Sequence, residues 1–186
     1  MDIGEVDWKR LASALDWYEA AGFRKLSLPW HARQDVVDVT CPSPDRCYSL
    51  GGFGTLVGSA EQSFMQMQFD GLLPKGRWVS LTPCFRHEPV FDDLHHPYFM
   101  KVELYSNEDP HEGLAVEFAG IARRFMAELG APAIELVQTD IGYDLEIGGI
   151  EVGSYSTREH AGHVWTCGTG LAEPRFSQAL AAAGKL

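Results

Sequence analysis

From residue 77 onward the chain alternates short apolar runs with turn residues, and most of these runs follow one another too closely to be joined by crossovers. Residues 77–85 and 98–105 read as two strands around a turn-rich loop, and further strands are expected at 133–138, 143–156 and 163–167. A parallel pair needs a connection of roughly a dozen residues or more, whereas antiparallel partners need only a tight turn. Strands joined as hairpins therefore build a largely antiparallel sheet, and an α+β domain is expected rather than a doubly wound fold.

Helices flank this sheet in the sequence pattern. Asp7 caps the first, whose apolar face is Trp8, Leu11, Leu15 and Tyr18, and Gly22 stops it. A short edge strand then ends in Leu26-Ser27-Leu28-Pro29, and residues 46–58 read as strand and turn with Gly51-Gly52 at the reversal. Ser59 starts a second helix, Gln62 completes a capping box, and Asp70-Gly71 ends it. Asp109 caps a third, with Pro110 at its first position and Glu112 in the box; Leu114, Phe118, Ile121, Phe125 and Leu129 share one face before Gly130. A last helix is expected over 171–183.

No repeat or low-complexity linker divides the sequence, and 186 residues with 45% apolar content suit one packed domain spanning 1–186. No run of about 18 apolar residues is present to span a bilayer. The start, Met1-Asp2-Ile3-Gly4-Glu5, lacks the basic and then apolar order of a signal peptide, so a cytoplasmic enzyme is expected. Four cysteines without a CxxC pair read as reduced thiols. The net charge of −11, from fifteen Lys plus Arg against twenty-six Asp plus Glu, leaves little material for a phosphate-binding face and argues against nucleic-acid binding.

The chemistry concentrates in separate segments. Arg86 and Glu88 in Phe85-Arg86-His87-Glu88 stand two apart at a strand end, a spacing that points both to one face. In Gly168-Thr169-Gly170-Leu171-Ala172-Glu173-Pro174-Arg175 the glycines allow a tight turn off a strand and close approach to a ligand, and the following helix presents Arg175. A guanidinium fork suits phosphate. Glu151-Val152-Gly153-Ser154 offers the hard oxygens that Mg²⁺ requires. Taken singly, a surface Arg–Glu pair, a glycine-rich strand end and an alternating half-exposed strand account for the same letters.

Together and in this order, the three segments resemble the motifs of the catalytic core of class II aminoacyl-tRNA synthetases, seryl branch, and the resemblance covers most of the chain. It implies that Arg86 bridges a substrate carboxylate and the α-phosphate of ATP, that Glu88 accepts from the adenine amino group, and that Phe99 packs on the adenine ring. It further implies that Glu151 and Ser154 hold Mg²⁺ against the phosphates and that Arg175 holds the γ-phosphate. Ser59-Ala60-Glu61 is similar to the Thr-x-Glu loop of the seryl branch and Lys101-Val102-Glu103 to its Lys-Val-Glu, which makes Glu61 and Glu103 the candidates for reading an amino-acid ammonium group. The early helix, strand and proline resemble the first motif, which in that family forms a homodimer interface.

The loop 87–97 departs from the family, with Asp92, Asp93, His95 and His96 but no Lys or Arg, which disfavours tRNA as the acceptor. Truncated seryl-synthetase homologues that load amino acids onto carrier proteins are similar in Cys84-Phe85-Arg86-His87-Glu88-Pro89 and also lack an anticodon-binding domain. Resemblance to them implies a zinc ion on Cys47, Glu103 and Cys167, with Cys41 competing for the place of Cys47. The function implied is ATP-dependent activation of an amino acid, or a similar small carboxylate, as its adenylate, followed by transfer to a carrier protein or other non-standard acceptor. A non-catalytic amino-acid or nucleotide sensor and a minimal tRNA-aminoacylating enzyme are the alternatives.

Overall fold

The computed structural model describes residues 5–41, 43–92 and 94–184. Helix α1 (Trp8–Ala20) leads to β1 (Arg24–Lys25), β2 (His31–Ala32), the short α2 (Gln34–Val37), β3 (Thr55–Leu56) and α3 (Ala60–Phe69). Then follow β4 (Arg77–Phe85), β5 (Tyr98–Ser106), α4 (Glu112–Glu128), β6 (Glu135–Thr139), β7 (Gly142–Ile147), β8 (Ile150–His160), β9 (His163–Glu173) and α5 (Arg175–Ala183). Seven strands form one sheet in the order β1-β4-β5-β9-β8-β7-β6, and β2 pairs with β3 apart from it. Every neighbour in the large sheet is antiparallel except β1, which lies parallel to β4. The expected α+β fold with a largely antiparallel sheet is the one observed.

Strand alternation divides the sheet into two unlike faces. Val79, Val102, Leu104, Leu145, Val152, Tyr155 and Leu171 point to one side and pack with Leu11 and Tyr18 of α1, Phe118 and Phe125 of α4, and Phe176 of α5. Trp78, Tyr105, Trp165 and Cys167 point to the other, where Phe64 and Met65 of α3 cover them. Helix α3 shields only part of that second face. The rest is open and holds the candidate site.

Local signals set the helix starts at two places. The Asp7 side chain accepts from the Arg10 N–H at 3.0 Å and Ser59 Oγ from the Glu61 N–H at 3.3 Å, both as N-caps. Gln62 caps one residue earlier than a capping box requires, its Oε1 accepting from the Gly58 N–H at 2.8 Å.

Other expectations need correction. Helix α4 begins at Glu112 behind His111, because Asp109 has φ +48°, a left-handed conformation incompatible with an extended N-cap. The buried stripe of α1 is Leu11, Ala14 and Tyr18, which leaves Trp8 60% exposed. The strand expected at 143–156 is a hairpin, reversed at Gly148 and Gly149 with φ of +58° and +79°. Gly168 and Gly170 do not turn the chain off a strand; both lie inside β9, and α5 starts at Arg175 rather than at 171. A Cβ on Gly168 would stand 2.1 Å from the Tyr155 ring and one on Gly170 2.8 Å from the Tyr18 ring, so these glycines admit aromatic rings. Among the described residues no helix is long and apolar enough to cross a membrane.

Candidate active site

Two β-bulges decide what the open face presents. Between β7 and β8 the register Leu145↔Gly153 shifts to Glu146↔Glu151, so Val152 is an extra residue on β8. Glu151 and Ser154, three apart in sequence, therefore both face the site, while Val152 is 2% exposed within the opposite core. Between β5 and β9 the register Val102↔Leu171 shifts to Glu103↔Thr169, which makes Gly170 the extra residue. Its carbonyl accepts from the Tyr18 hydroxyl at 2.8 Å, and Thr169 and Ala172 both stay on the site face with Lys101 and Glu103.

Arg86, Glu88, Phe99, Glu151, Ser154 and Arg175 line a single cleft of about 650 Å³, including the space open to solvent. The first two follow β4 rather than lying on it, but the chain stays extended, since the Arg86 N–H donates to the Pro97 carbonyl at 3.0 Å. The Arg86 guanidinium sits 5.0 Å from the centre of the Phe99 ring, and its Nε donates to the Gly58 carbonyl at 3.2 Å. Arg175 donates to the Leu94 carbonyl at 2.8 Å and lies 3.9 Å from the Glu151 carboxylate. Two guanidinium groups far apart in sequence thus converge on one cavity, with Glu88 paired to Arg46 at its rim.

A second cleft adjoins the first and shares Arg86, Glu88, Lys101, Glu151 and Ser154 with it. Glu61 and Glu103, both nearly inaccessible, stand in its wall. Oε1 of Glu61 accepts from the Trp165 indole N–H at 2.8 Å and the Cys167 thiol at 3.2 Å, and the Arg158 Nε lies 3.7 Å away. Glu103 takes Ser59 Oγ at 2.5 Å and Lys101 Nζ at 2.8 Å. Burial pushes the Glu103 carboxyl above its ordinary range, offset in part by the Lys101 charge. Burial is the largest influence on Lys101 and opposes its charge, but the attractions around it, led by the Glu103 carboxylate, together hold the ammonium above its usual range. The Glu61 carboxylate likewise raises Arg158.

The zinc set does not assemble. Cys47, Glu103 and Cys167 line the same cleft, yet among the described residues no group of three His, Cys, Asp or Glu side chains stands close enough to hold a metal ion. The Cys167 thiol is committed to Glu61, and burial raises it well above its ordinary pKa. Cys47 Sγ lies 2.7 Å from Cys41 Sγ, and burial with that contact raises it to about 12. Glu103 is held by Lys101 and Ser59.

Sequence reasoning missed Arg46, Arg158 and Trp165. Arg158 continues the site-facing alternation of Ser154 and Ser156 on β8, a signal that could have found it. Arg46 lies in a loop with no pattern of its own. In the loop 87–97, Asp92 Oδ1 accepts from the backbone N–H groups of Leu94 and His95, both at 2.8 Å, and His95 Nδ1 also lies 2.8 Å from it. His96 is 8% exposed and sits 3.3 Å from Gln178 Nε2. Asp93 lies outside the described residues.

The architecture is that of class II aminoacyl-tRNA synthetase catalytic cores. No family model matches the sequence, and comparison with curated protein sequences gives no match. Solved structures do match. A pyrrolysyl-tRNA synthetase from Desulfitobacterium hafniense superposes with a TM-score of 0.69 at 18% identity, over 91% of this chain and 66% of that one. A second structure of pyrrolysyl-tRNA synthetase from the same organism gives 0.69 and 18% over 95% and 68%. Seryl-tRNA synthetase from Pyrococcus horikoshii complexed with ATP gives 0.67 and 22% over 94% and 49%. This chain thus spans between about half and two thirds of the length of these proteins, and the likeness establishes the fold they share.

Proposed function

We propose that the protein is an adenylate-forming ligase that activates an amino acid, or a similar small carboxylate, with ATP and passes it to a non-standard acceptor such as a carrier protein. The observation that carries this reading is the meeting of Arg86 and Arg175 in one cleft with Glu88, Phe99, Glu151 and Ser154. ATP lies folded in that cleft, its adenine on Phe99 with the amino group donating to Glu88, and its γ-phosphate on Arg175. The amino acid occupies the adjoining cleft with its ammonium group against Glu61 and Glu103. Its carboxylate attacks the α-phosphorus in line with departing pyrophosphate, so no side-chain nucleophile is needed. Arg86 neutralises charge on the α-phosphate, and catalysis is positioning plus electrostatic stabilisation.

Glu151 and Ser154 fit Mg²⁺: the bulge turns two oxygen-bearing side chains to the same face beside Arg175, and hard oxygen donors are what this ion takes. When bound, the ion would supply charge neutralisation for the phosphates.

The seryl-tRNA synthetase complexed with ATP supports ATP as substrate. The net charge of −11 and the exposed Asp92 beside the cleft disfavour tRNA in favour of an acceptor carried by a protein. Trp8, Trp30 and Tyr98, all exposed, border an open apolar groove with Leu81, Pro83 and Met100, a surface suited to a homodimer contact. We place the enzyme in the cytoplasm.

Pyrophosphate exchange into ATP, screened over the twenty amino acids, tests the reading. The wild type is expected to support exchange with a restricted set of amino acids, and Arg86→Ala to reduce it by a factor on the order of 10²–10³. Nucleotide binding by the wild type without exchange for any carboxylate would favour a sensor over an enzyme.

A further inference from the structure

Arg46 has no part in the reaction as described, yet its guanidinium ion-pairs with Glu88 and lines the second cleft beside Arg86. Its position is fixed by the backbone. The turn Pro44–Arg46 lies against the chain at His87: the Arg46 carbonyl accepts from the His87 N–H at 3.0 Å, and His87 Nδ1 stands 2.9 Å from the Asp45 carbonyl. The Tyr48 ring meets the His87 ring edge-on at 5.6 Å. The segment 44–48 is thereby fastened to the residue between Arg86 and Glu88. The pair is partly exposed, with the side chains of Arg46 and Glu88 37% and 16% accessible, so it contributes little to stability and calls for another explanation.

We propose that Arg46 is a positioning residue that fixes Glu88 for reading the nucleotide base and so sets a preference for adenine over a base carrying a carbonyl in place of the amino group. The proposal rests on the adenylate-forming reading. An ionised carboxylate only accepts hydrogen bonds, through two oxygens. Arg46 occupies Oε2, which leaves Oε1 to accept from the exocyclic amine of adenine. Hypoxanthine presents a carbonyl oxygen there, and the two oxygens meet with no proton between them, a mismatch that discriminates only while the carboxylate stays charged and held. Without Arg46 the side chain of Glu88 regains its rotamers and can turn away, and the penalty against hypoxanthine relaxes.

Equilibrium binding of ATP and ITP to the wild type, Arg46→Ala, Arg46→Lys and Glu88→Gln, alone and combined with Arg46→Ala, tests this. The wild type is expected to prefer ATP, and Arg46→Ala to lower the ATP-to-ITP ratio about tenfold, with ATP bound more weakly and ITP no more weakly than by the wild type. Arg46→Lys should keep most of the preference, and Arg46→Ala should change nothing further in Glu88→Gln. Equal weakening of ATP and ITP in Arg46→Ala, or an unchanged ratio, overturns the role of Arg46 while leaving the adenylate reading intact. A wild type that binds neither nucleotide overturns both.

Discussion

The two faces of the central sheet solve different problems with the same strands. Beneath α1, α4 and α5 the buried side chains are aliphatic and aromatic, and the hydroxyls of Tyr18 and Tyr155 end on the backbone carbonyls of Gly170 and Thr169. On the other side of β5, β8 and β9 stand Lys101, Glu103 and Arg158, facing Glu61 from α3. Buried ion pairs are weak contributors to stability, because the cost of removing two charges from water consumes most of their attraction. Period-two alternation thus lets one set of strands carry stability on one side and charge-bearing chemistry on the other, with little sharing between them.

This division makes predictions of decreasing size. Phe118→Ala, in the apolar face, should cost about 3–5 kcal/mol in denaturant unfolding while leaving the exchange rate per folded molecule unchanged. A loss of specific activity alongside stability would show that the faces are coupled. On the charged face Lys101→Met should cost about 3 kcal/mol or more because it leaves Glu103 buried and unpaired, whereas Lys101→Met with Glu103→Leu should recover most of the loss without recovering exchange.

The pH dependence gives that pair a sign. In Lys101→Met the raised Glu103 carboxyl makes the folded state bind its proton more tightly than the unfolded state, so its contribution to stability is whole below about pH 4.5 and is lost as pH rises through the folded value. In the wild type Lys101 is raised as well; its contribution is whole below about pH 10.5 and is lost as pH climbs through its folded pKa. Unfolding of both proteins across this range checks each direction. Smallest, Gly168→Ala should cost about 1–3 kcal/mol, because its Cβ would enter the buried Tyr155 ring, with nucleotide affinity preserved.

What the sequence revealed divides along physical lines. Features decided within a few residues were legible: the caps at Asp7 and Ser59, the end of α3 at Asp70-Gly71, and the antiparallel pairing of β7, β8 and β9 forced by close spacing. Phe85 to Glu88 and Arg175 were found because similar segments exist elsewhere. The bulges at Val152 and Gly170 were hidden, since an extra residue is defined only against the partner strand. Glycines 168 and 170 were misread for the same reason: their lack of a side chain serves rings from Tyr155 and Tyr18, not a local turn. Arg46 escaped notice because its partner Glu88 lies across a distant part of the chain and the loop that carries it has no periodicity.

The extra residue at Val152 also bears on how relatives of this chain could be detected. A glutamate and a serine three letters apart face the same way here only because one position between them bulges. A homologue with an unbulged strand would keep both oxygens on the cleft with a single residue between them. A scan that insists on the longer spacing would discard such proteins, although a one-codon deletion is all that separates the two patterns.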